Sequence, residues 1–346
     1  MTAPTFPSPL QSAITKLAHH EPLTATDAAD AFGVIMRGEA SAVQIAAMLA
    51  ALRVKGETSE IVAGVVRALK EVMVVLPTKN SHDLVDTCGT GGGAVTTFNI
   101  STAAALLAAG AGVRIAKHGN RSFTSRCGSA DVLEALGVKI DAPLETMSRA
   151  LETAGIVFMY APMMHPAMKH VGPIRRELGI PTVMNIVGPL ANPAGATRQV
   201  VGVADDHRVS ILAGALAELG SAHAMVVHGE PGLDEISPLG PTRVVEIKSG
   251  STTEWILDPS DFGLAKGDAS QLAGGSPDDN ARIITETLGN GGTEAGRAAV
   301  ILNAAAAIYL SGRVSSYKEG VEEARRALAE RAGLGALEKL RAAYSA

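Results

Sequence analysis

The feature that most constrains the fold of this sequence is a change of pattern at Pro77. Beyond that residue, short apolar runs alternate with longer stretches of helical periodicity. Such alternation predicts parallel strands joined by right-handed helical crossovers, with helices on both faces of the sheet. The predicted strands are 84–88, 113–117, 138–140, 156–160, 199–203 and 224–227, and the helices between them include 101–109, 130–136, 144–154 and 207–219.

The remaining segments complete the predicted architecture. Residues 11–73 have apolar residues at helical spacing, with helix starts after Thr24, Ser41 and Ser59. Residues 242–257 predict antiparallel edge strands, 265–279 a loop, and the tail from about 278 further helices, including 295–310. We therefore predict an α/β fold with a mainly parallel central sheet flanked by helices, plus a small all-helical domain.

Composition excludes several classes of protein. The 346 residues carry a net charge of −5 without a basic stripe, which argues against a nucleic-acid partner. Two cysteines in no metal-binding pattern exclude a disulfide framework. We see no signal peptide, and the longest apolar run, 103–113, is shorter than the roughly 18 residues of a membrane helix. The sequence therefore predicts a cytoplasmic protein with no membrane partner.

A glycine-rich loop follows the first predicted strand. The run DTCGTGGG at 86–93 has four glycines in five positions and leads into a helix near Ser101. Glycines permit positive φ, so successive N–H groups can converge on an anion, and the helix adds its positive end. The run is neither a dinucleotide-binding fingerprint nor a P-loop. We interpret it as a phosphate site, the alternative being a flexible turn that needs no ligand.

A second polar loop follows the second predicted strand. The run KHGNRSFTS at 117–125 contains two cations, an imidazole, an amide and three hydroxyls. These donors and charges suit a phosphate or pyrophosphate, and Ser129 opens the next helix, which offers another anion-binding end. A polar surface loop is the alternative. The parallel placement of this loop beside the glycine-rich loop favours the phosphate interpretation over that alternative.

The adjacent carboxylates of Asp234 and Glu235 are the candidate metal ligands. They follow the strand that ends near Gly229, and hard divalent cations such as Mg²⁺ prefer carboxylate oxygens. An Asp–Glu pair alone is more often a solvated turn, so only the two phosphate-like loops favour metal binding. The similar pair Asp205–Asp206 precedes a predicted helix, and we interpret it as a cap.

The sequence gives no sign of a covalent or acid–base catalytic residue. The histidines lack metal-ligand spacing, no nucleophile elbow is present, and neither Cys88 nor Cys127 lies near a recognisable base. By default, both cysteines are small packing residues.

Several motifs in order resemble the anthranilate phosphoribosyltransferase family of tryptophan biosynthesis. The match runs along almost the whole chain. It includes ALRVKGET at 51–58, GTGG at 89–92, NIST at 99–102, KHGNR at 117–121, NIVGPLANP at 185–193 and the acidic pair at 234–235. The KHGNR and NxxGPLxNP blocks are the most specific of these.

The resemblance implies an organisation that composition does not show. It implies a small helical domain of residues 1–79 with about 168–188, and a large α/β domain of residues 80–167 and 189–346. It also implies a homodimer formed through the helical parts, and two Mg²⁺ per subunit as cofactor.

The implied reaction transfers the phosphoribosyl group of 5-phosphoribosyl 1-pyrophosphate (PRPP) to the amine of anthranilate. The amine is the nucleophile, so no triad is required. The resemblance assigns three groups of residues. The PRPP residues are Gly89, Gly92, Gly93, Thr97, Asn99, Ile100, Ser101, Thr102, Lys117, His118, Gly119, Asn120, Arg121, Ser122, Phe123, Thr124, Ser125 and Ser129. The anthranilate residues are Gly89, Asn120 and Arg175, with His118 nearby, and the Mg²⁺ ligands are Ser101, Asp234 and Glu235.

One position departs from the family pattern. The family commonly has Asp after GTGG, where this chain has Gly93, so we expect a more mobile loop and altered affinity for PRPP or Mg²⁺. Two alternatives remain. A pyrimidine nucleoside phosphorylase would have a KxSGR-type signature in place of KHGNR. A non-catalytic relative that binds nucleic acid would need a basic face and a degraded substrate loop.

Overall fold

A seven-stranded sheet forms the centre of the molecule. The computed structural model of the chain describes residues 7–122 and 126–345. The strand order is β3-β2-β1-β4-β5-β6-β7; the first five strands are parallel, and β6 and β7 are antiparallel. The predicted sheet and its antiparallel edge are confirmed. The strands are β1 Leu84–Gly89, β2 Arg114–Gly119, β3 Ile156–Tyr160, β4 Arg198–Gly202, β5 His223–Gly229, β6 Thr242–Lys248 and β7 Ser251–Leu257.

Helices precede, connect and follow the strands, as predicted. The helices are α1 Pro9–Ala18, α2 Ala25–Met36, α3 Ala42–Lys55, α4 Ser59–Val72, α5 Ile100–Gly110, α6 Ser129–Ala135, α7 Leu144–Ala154, α8 Ala161–Met164, α9 Gly172–Leu178, α10 Val209–Glu218, α11 Pro277–Leu288, α12 Glu294–Leu310, α13 Tyr317–Ala329 and α14 Ala332–Ser345. The longest, α12, has 17 residues, and none of the described helices is long and apolar enough to cross a membrane.

Side-chain caps explain where the N-terminal helices begin. The Thr24 hydroxyl accepts the Asp27 N–H at 3.1 Å, and the Asp27 carboxylate accepts the Thr24 N–H in return. Ser41 and Gln44 form the same reciprocal pair before α3. Each pair satisfies N–H groups that the first turn of a helix leaves without partners. The third predicted start is displaced by one residue, because Thr58 caps the helix that begins at Ser59.

Two clusters of buried apolar side chains form the core. One joins one face of the sheet to α5, α7 and the C-terminal helices. The other joins α1–α4 to α10, to the opposite face of the sheet and to the segment 167–191. Val171 and Val183 of that segment are fully buried in the second cluster. This packing is consistent with the predicted return of 168–188 to the helical part, but the domain limits stay a prediction.

The predicted strand at 138–140 is wrong. After α6 the chain turns at Gly137, which has φ +81°, and the Val138 N–H caps the helix by donating to the Leu133 carbonyl at 2.9 Å. Val138 and Ile140 are buried in the core without forming part of a strand. A short apolar run is equally compatible with a strand and with a buried turn, and here the helix end takes the backbone hydrogen bond.

The predicted loop at 265–279 contains more structure than expected. A 3-10 helix spans Ala269–Leu272, and α11 begins at Pro277. Ala273 forms an antiparallel bridge with Thr97, and the Phe98 N–H donates to the Leu272 carbonyl at 2.9 Å. This segment therefore lies directly against the chain that enters α5.

Candidate active site

An acidic loop lies across the carboxyl ends of three neighbouring strands. Strands β1, β4 and β5 end at Gly89, Gly202 and Gly229. A Cβ at Gly89 would lie 2.5 Å from the Asp234 carboxylate, and at the other two glycines it would overlap the backbone carbonyls of Asp234 or Glu235. Because all three strands end in glycine, the acidic loop can lie directly on the edge of the sheet where ligands bind in open α/β folds.

The glycine-rich loop folds toward this acidic loop. Gly91 and Gly92 have φ of +70° and +80°, which side-chain-bearing residues rarely adopt. The Gly91 N–H donates to the Asp234 carboxylate at 2.8 Å. Thr90 fixes the base of the loop, because its N–H donates to the Gly202 carbonyl at 2.9 Å. One N–H group of the loop thus donates to an anion, which here is the Asp234 carboxylate of the protein, and the phosphate site stays a prediction.

The second carboxylate meets the first turn of α5. The Ser101 N–H donates to Glu235 Oε1 at 3.0 Å. Burial and the neighbouring Asp234 raise the pKa of Glu235 to about 8, and burial likewise raises the pKa of Asp234. Two desolvated acidic groups beside each other favour a cation that neutralises them.

The donor set fits Mg²⁺. Carboxylate and hydroxyl oxygens from Asp234, Glu235 and Ser101 are the ligands that Mg²⁺ prefers, and it usually completes its shell with water and substrate phosphates. Within the described part of the chain, no three His, Cys, Asp or Glu side chains form a cluster that could hold a metal.

Lys117 lies beneath the site rather than in it. Lys117 is 3% exposed, and its ammonium donates to the Thr87 carbonyl at 2.5 Å and to the Ser101 hydroxyl at 3.3 Å. Burial lowers the pKa of Lys117, while Asp86 and Glu235 favour its charged form. The lysine therefore supports the α5 end of the site through contacts with the protein.

Asn192 is a supporting residue that the sequence analysis did not assign. Its amide donates to the Asp86 carboxylate and to the Ala116 carbonyl, each at 2.8 Å. The other Asp86 oxygen accepts the His118 N–H at 3.2 Å. Burial raises the pKa of Asp86 to about 6. The one sequence signal for Asn192 was its place in the 185–193 motif. That motif indicated the family but did not indicate which residues Asn192 contacts.

Two buried histidines lie side by side near the second loop. The rings of His118 and His165 are 4.9 Å apart, and both side chains are almost fully buried. Burial lowers the pKa of His118 to about 3 and that of His165 to about 4, so both rings are neutral at pH 7. Nε2 of His118 has no hydrogen-bond partner among the described residues. The sequence analysis missed His165, which has no motif spacing to His118.

The second loop is fixed by Asp131, at the start of α6. The Asp131 carboxylate accepts the N–H groups of Ser122 and Gly128, at 3.2 and 2.8 Å, and a guanidinium N–H of Arg121 at 2.7 Å. Arg121 also forms an ion pair of 2.5 Å with Glu134. Two carboxylates therefore balance the positive charge that the sequence analysis assigned to phosphate binding. The hydroxyl of Ser129, the first residue of α6, donates to the Asn120 carbonyl at 3.3 Å.

The remaining predicted PRPP residues fall into three groups. Thr97 and Asn99 are partly exposed, next to the segment 272–275. The side chains of Ile100 and Thr102 are about 1% exposed, so they point into the core. Phe123, Thr124 and Ser125 lie outside the described residues. The predicted residues on the glycine-rich loop and the acidic loop are therefore brought together, and two of the α5 side chains are not.

Arg175 is the half-buried arginine of the pair on α9. Its neighbour Arg176 is exposed. Burial lowers the pKa of the Arg175 guanidinium, which makes no hydrogen bond or ion pair with another described residue. A carboxylate ligand would meet an arginine whose donors are not already used.

Comparison with known proteins agrees with this geometry. A family described as "Glycosyl transferase family, a/b domain" matches residues 81–333, and "Glycosyl transferase family, helical bundle domain" matches 11–73. The anthranilate phosphoribosyltransferase of Rubrobacter xylanophilus is 48% identical over 330 residues, 95% of this chain and 96% of the relative.

Solved structures of anthranilate phosphoribosyltransferases match almost the whole chain. The enzyme from Thermus thermophilus gives a TM-score of 0.91 at 41% identity, covering 96% of this chain and 99% of that one. The enzyme from Saccharomyces cerevisiae, in complex with PRPP and Mg, gives 0.87 at 30% identity, covering 97% and 98%. Sequence motifs, strand order and full-length likeness thus agree, and the chain belongs to the anthranilate phosphoribosyltransferase family.

Proposed function

We propose that the chain transfers the phosphoribosyl group of PRPP to the amine of anthranilate, giving N-(5-phosphoribosyl)anthranilate and pyrophosphate in tryptophan biosynthesis. The observation that carries this proposal is the convergence of the glycine-rich loop, the first turn of α5 and the buried Asp234–Glu235 pair at one edge of the sheet. Departure of pyrophosphate creates positive charge on the ribose and negative charge on the leaving group. Fixed donors and a cation at the pyrophosphate are therefore what the reaction requires.

The PRPP half of the site uses the two loops. The N–H groups of the glycine-rich loop, from Gly89 to Gly93, and the donors of the second loop beyond Lys117 bind the phosphates. Ser101, Asp234 and Glu235 hold Mg²⁺, and two ions per subunit is the number we propose. When bound, Mg²⁺ neutralises charge on the pyrophosphate. Lys117 holds Ser101 in place from below.

The anthranilate half of the site uses Arg175, Asn120 and Gly89. The Arg175 guanidinium binds the carboxylate of anthranilate, and Asn120 and Gly89 line the same pocket beside His118. Because the aromatic amine is nucleophilic in its neutral form, its attack needs orientation rather than a strong base. The burial that keeps His118 neutral is consistent with a role in shaping this pocket.

Named relatives support both substrates. The Saccharomyces cerevisiae enzyme has been solved with PRPP and Mg and, separately, with 4-fluoroanthranilate, at TM-scores of 0.87 and 0.86 to this chain. Neither a pyrimidine nucleoside phosphorylase nor a non-catalytic nucleic-acid-binding relative is favoured by these likenesses. A cytoplasmic location stays a prediction.

The test is the loss of anthranilate fluorescence on mixing protein, anthranilate, PRPP and Mg²⁺. We expect a loss that EDTA prevents and excess Mg²⁺ restores. Asp234→Asn should raise the Mg²⁺ concentration for half-maximal rate about tenfold or more, because it removes one charged ligand. The matched control is Glu230→Gln, an exposed acid four residues away, which should leave that concentration unchanged. No loss of fluorescence from a folded protein would refute the proposed reaction.

We also propose a homodimer formed through α3 and its surroundings. Val43 and Val54 are 78% and 87% exposed, and their spacing of eleven residues, three helical turns, puts them on one face of α3. Ile180, after α9, is 43% exposed. Sedimentation should show a dimer that Val54→Glu dissociates, while Ile256→Glu, on the distant β7, leaves it intact. A monomeric wild-type protein at micromolar concentration would overturn this proposal.

A further inference from the structure

Asn280, on α11, holds a proposed PRPP residue in one orientation. Its amide N–H donates to the Asn99 side-chain oxygen at 2.9 Å, and its own oxygen accepts the Gly275 N–H at 2.7 Å. The Asn99 amide nitrogen in turn donates to the Cys127 carbonyl at 3.1 Å. One buried amide, 2% exposed, thus fixes which end of the Asn99 amide faces each of its neighbours.

The segment before α11 adds a second contact to the same place. The Thr97–Ala273 bridge and the hydrogen bond from the Phe98 N–H to Leu272 hold this segment against the entrance to α5. At Gly274 a Cβ would lie 2.6 Å from the Thr97 carbonyl, so no side chain fits there. The entrance to α5 and the loop before α6 therefore share one support from the C-terminal part of the chain.

Asn303, on α12, holds the acidic loop in place, as Asn280 holds Asn99. Its side-chain oxygen accepts the Ile236 N–H, and its amide nitrogen donates to the Ile236 carbonyl, both at 2.9 Å. Ile236 directly follows Glu235 and is fully buried. A single amide therefore pairs both backbone groups of the residue that anchors the two carboxylates, and no neighbouring strand supplies these bonds.

We propose that Asn280 and Asn303 are positioning residues for separate halves of the site. Asn280 sets the PRPP-binding geometry through Asn99, and Asn303 sets the Mg²⁺-binding geometry through Ile236. The inference rests on the proposed function. A buried asparagine that merely stabilised the fold would weaken every ligand alike, whereas a positioning residue affects the ligand of its own half.

The first experiment measures the effect of Asn280→Ala on each substrate separately. We expect KM for PRPP to rise about tenfold and KM for anthranilate to stay within about twofold. The reason is that loss of this buried hydrogen bond frees only the Asn99 side chain, which belongs to the PRPP half of the site. Asn280→Asp keeps the acceptor for the Gly275 N–H but loses the donor to Asn99, so it should raise KM for PRPP as well. Isothermal titration calorimetry of PRPP with Mg²⁺ gives the same comparison without turnover.

A double mutant tests whether Asn280 acts through Asn99. The Asn99→Ala and Asn280→Ala pair should weaken PRPP binding no more than Asn99→Ala alone, because the second change removes a support that no longer holds anything. Independent, multiplicative losses would overturn the proposal for Asn280.

The second experiment concerns Asn303→Ala. We expect the Mg²⁺ concentration for half-maximal binding of PRPP, measured by calorimetry, to rise about tenfold while KM for anthranilate stays within about twofold. If Asn303→Ala does not fold, Asn303→Asp, which keeps the acceptor for the Ile236 N–H, provides the same measurement. Equal losses for both substrates would overturn the proposal for Asn303.

Thr287→Val is the matched control. Thr287 lies on α11, two turns beyond Asn280, and is buried with a hydroxyl that has no hydrogen-bond partner among the described residues. Its substitution disturbs the same helix without releasing a loop of the site, so both KM values should be unchanged. If the wild-type protein does not convert anthranilate, the proposed function fails, yet PRPP calorimetry still tests both asparagines.

Discussion

At the scale of single residues, the site depends on the absence of side chains as much as on their presence. Gly89, Gly202 and Gly229 give the acidic loop its place, because a Cβ at any of them would collide with that loop. Gly93 differs from these three. A Cβ there would lie 3.0 Å from the Gly232 carbonyl and 3.5 Å from the Asp234 carboxylate, so the position tolerates a side chain after a small shift.

The first prediction therefore concerns Gly93→Asp. The new carboxylate would lie beside Asp234, whose pKa burial already raises, and the two negative charges would attract a cation more strongly. We expect the Mg²⁺ concentration for half-maximal activity, or KM for PRPP, to change about threefold or more. The control is Thr96→Asp, which adds the same charge at an exposed position three residues away. Unchanged constants in the Gly93→Asp enzyme would contradict the role given to this position.

The residue types in the motifs predicted the chemistry of the site better than they predicted the contacts of each side chain. The sequence identified Asp234, Glu235 and both loops, which the fold brings to one edge. It did not show that Lys117 would be buried on Thr87, or that two carboxylates would balance the charge of Arg121. Those partners come from distant strands and helices, so no local pattern encodes them.

At the scale of elements, the contact between α4 and α10 joins the N-terminal helices to the sheet. A Cβ at Gly214 in α10 would overlap the Ser59 hydroxyl and lie 2.8 Å from Ser59 Cβ, so the two helices approach as closely as glycine allows. An ion pair of 3.0 Å between Arg67 and Glu218 extends the contact.

Short elements were the hardest to predict from the sequence, since the run at 138–140 had a strand-like composition but no partner strand.

The second prediction is that Gly214→Ala destabilises the fold. Glycine to alanine inside a helix ordinarily stabilises by up to about 1 kcal/mol, but here the methyl group forces α4 and α10 apart, at a cost of about 1–3 kcal/mol. Urea unfolding measures the difference. The control is Gly335→Ala in α14, where no atom lies within 4 Å of the new Cβ, and this variant should gain stability. A stabilised Gly214→Ala protein would show that the helices can separate freely.

At the scale of the whole molecule, the C-terminal helices serve the site as well as the core. Helices α11 and α12 follow all seven strands in sequence, yet Asn280 contacts the segment after β1 and Asn303 contacts the loop after β5. Strand and helix alternation predicted the sheet, because local apolar periodicity determines those elements. It could not predict these long-range contacts, which depend on how helices far along the chain pack on the finished sheet.

The third prediction concerns the pH dependence of stability, to which buried groups contribute in opposite directions. Burial lowers the pKa of His165 to about 4, below the ordinary value of about 6.5 in the unfolded chain, so the unfolded state binds the extra proton. Its stabilising contribution is complete above pH 6.5 and is lost as the pH falls toward 4. Asp86, with a pKa of about 6, acts in the opposite direction, because its folded form takes up a proton first.

A variant separates these opposing contributions. At pH 5 the His165 ring is protonated in the unfolded chain but stays neutral in the folded protein. This difference lowers the free energy of unfolding by about 2 kcal/mol relative to pH 7.5, because pH 5 lies about 1.5 units below the unfolded pKa. His165→Asn removes that cost, so its free energy of unfolding by urea should fall less than the wild-type value between pH 7.5 and 5. His207→Asn, which replaces an exposed histidine, should follow the wild-type protein. Equal losses in the wild-type and His165→Asn proteins would mean that the His165 ring is already hydrated or charged in the folded state, and that the buried histidine pair is not part of what limits stability in acid.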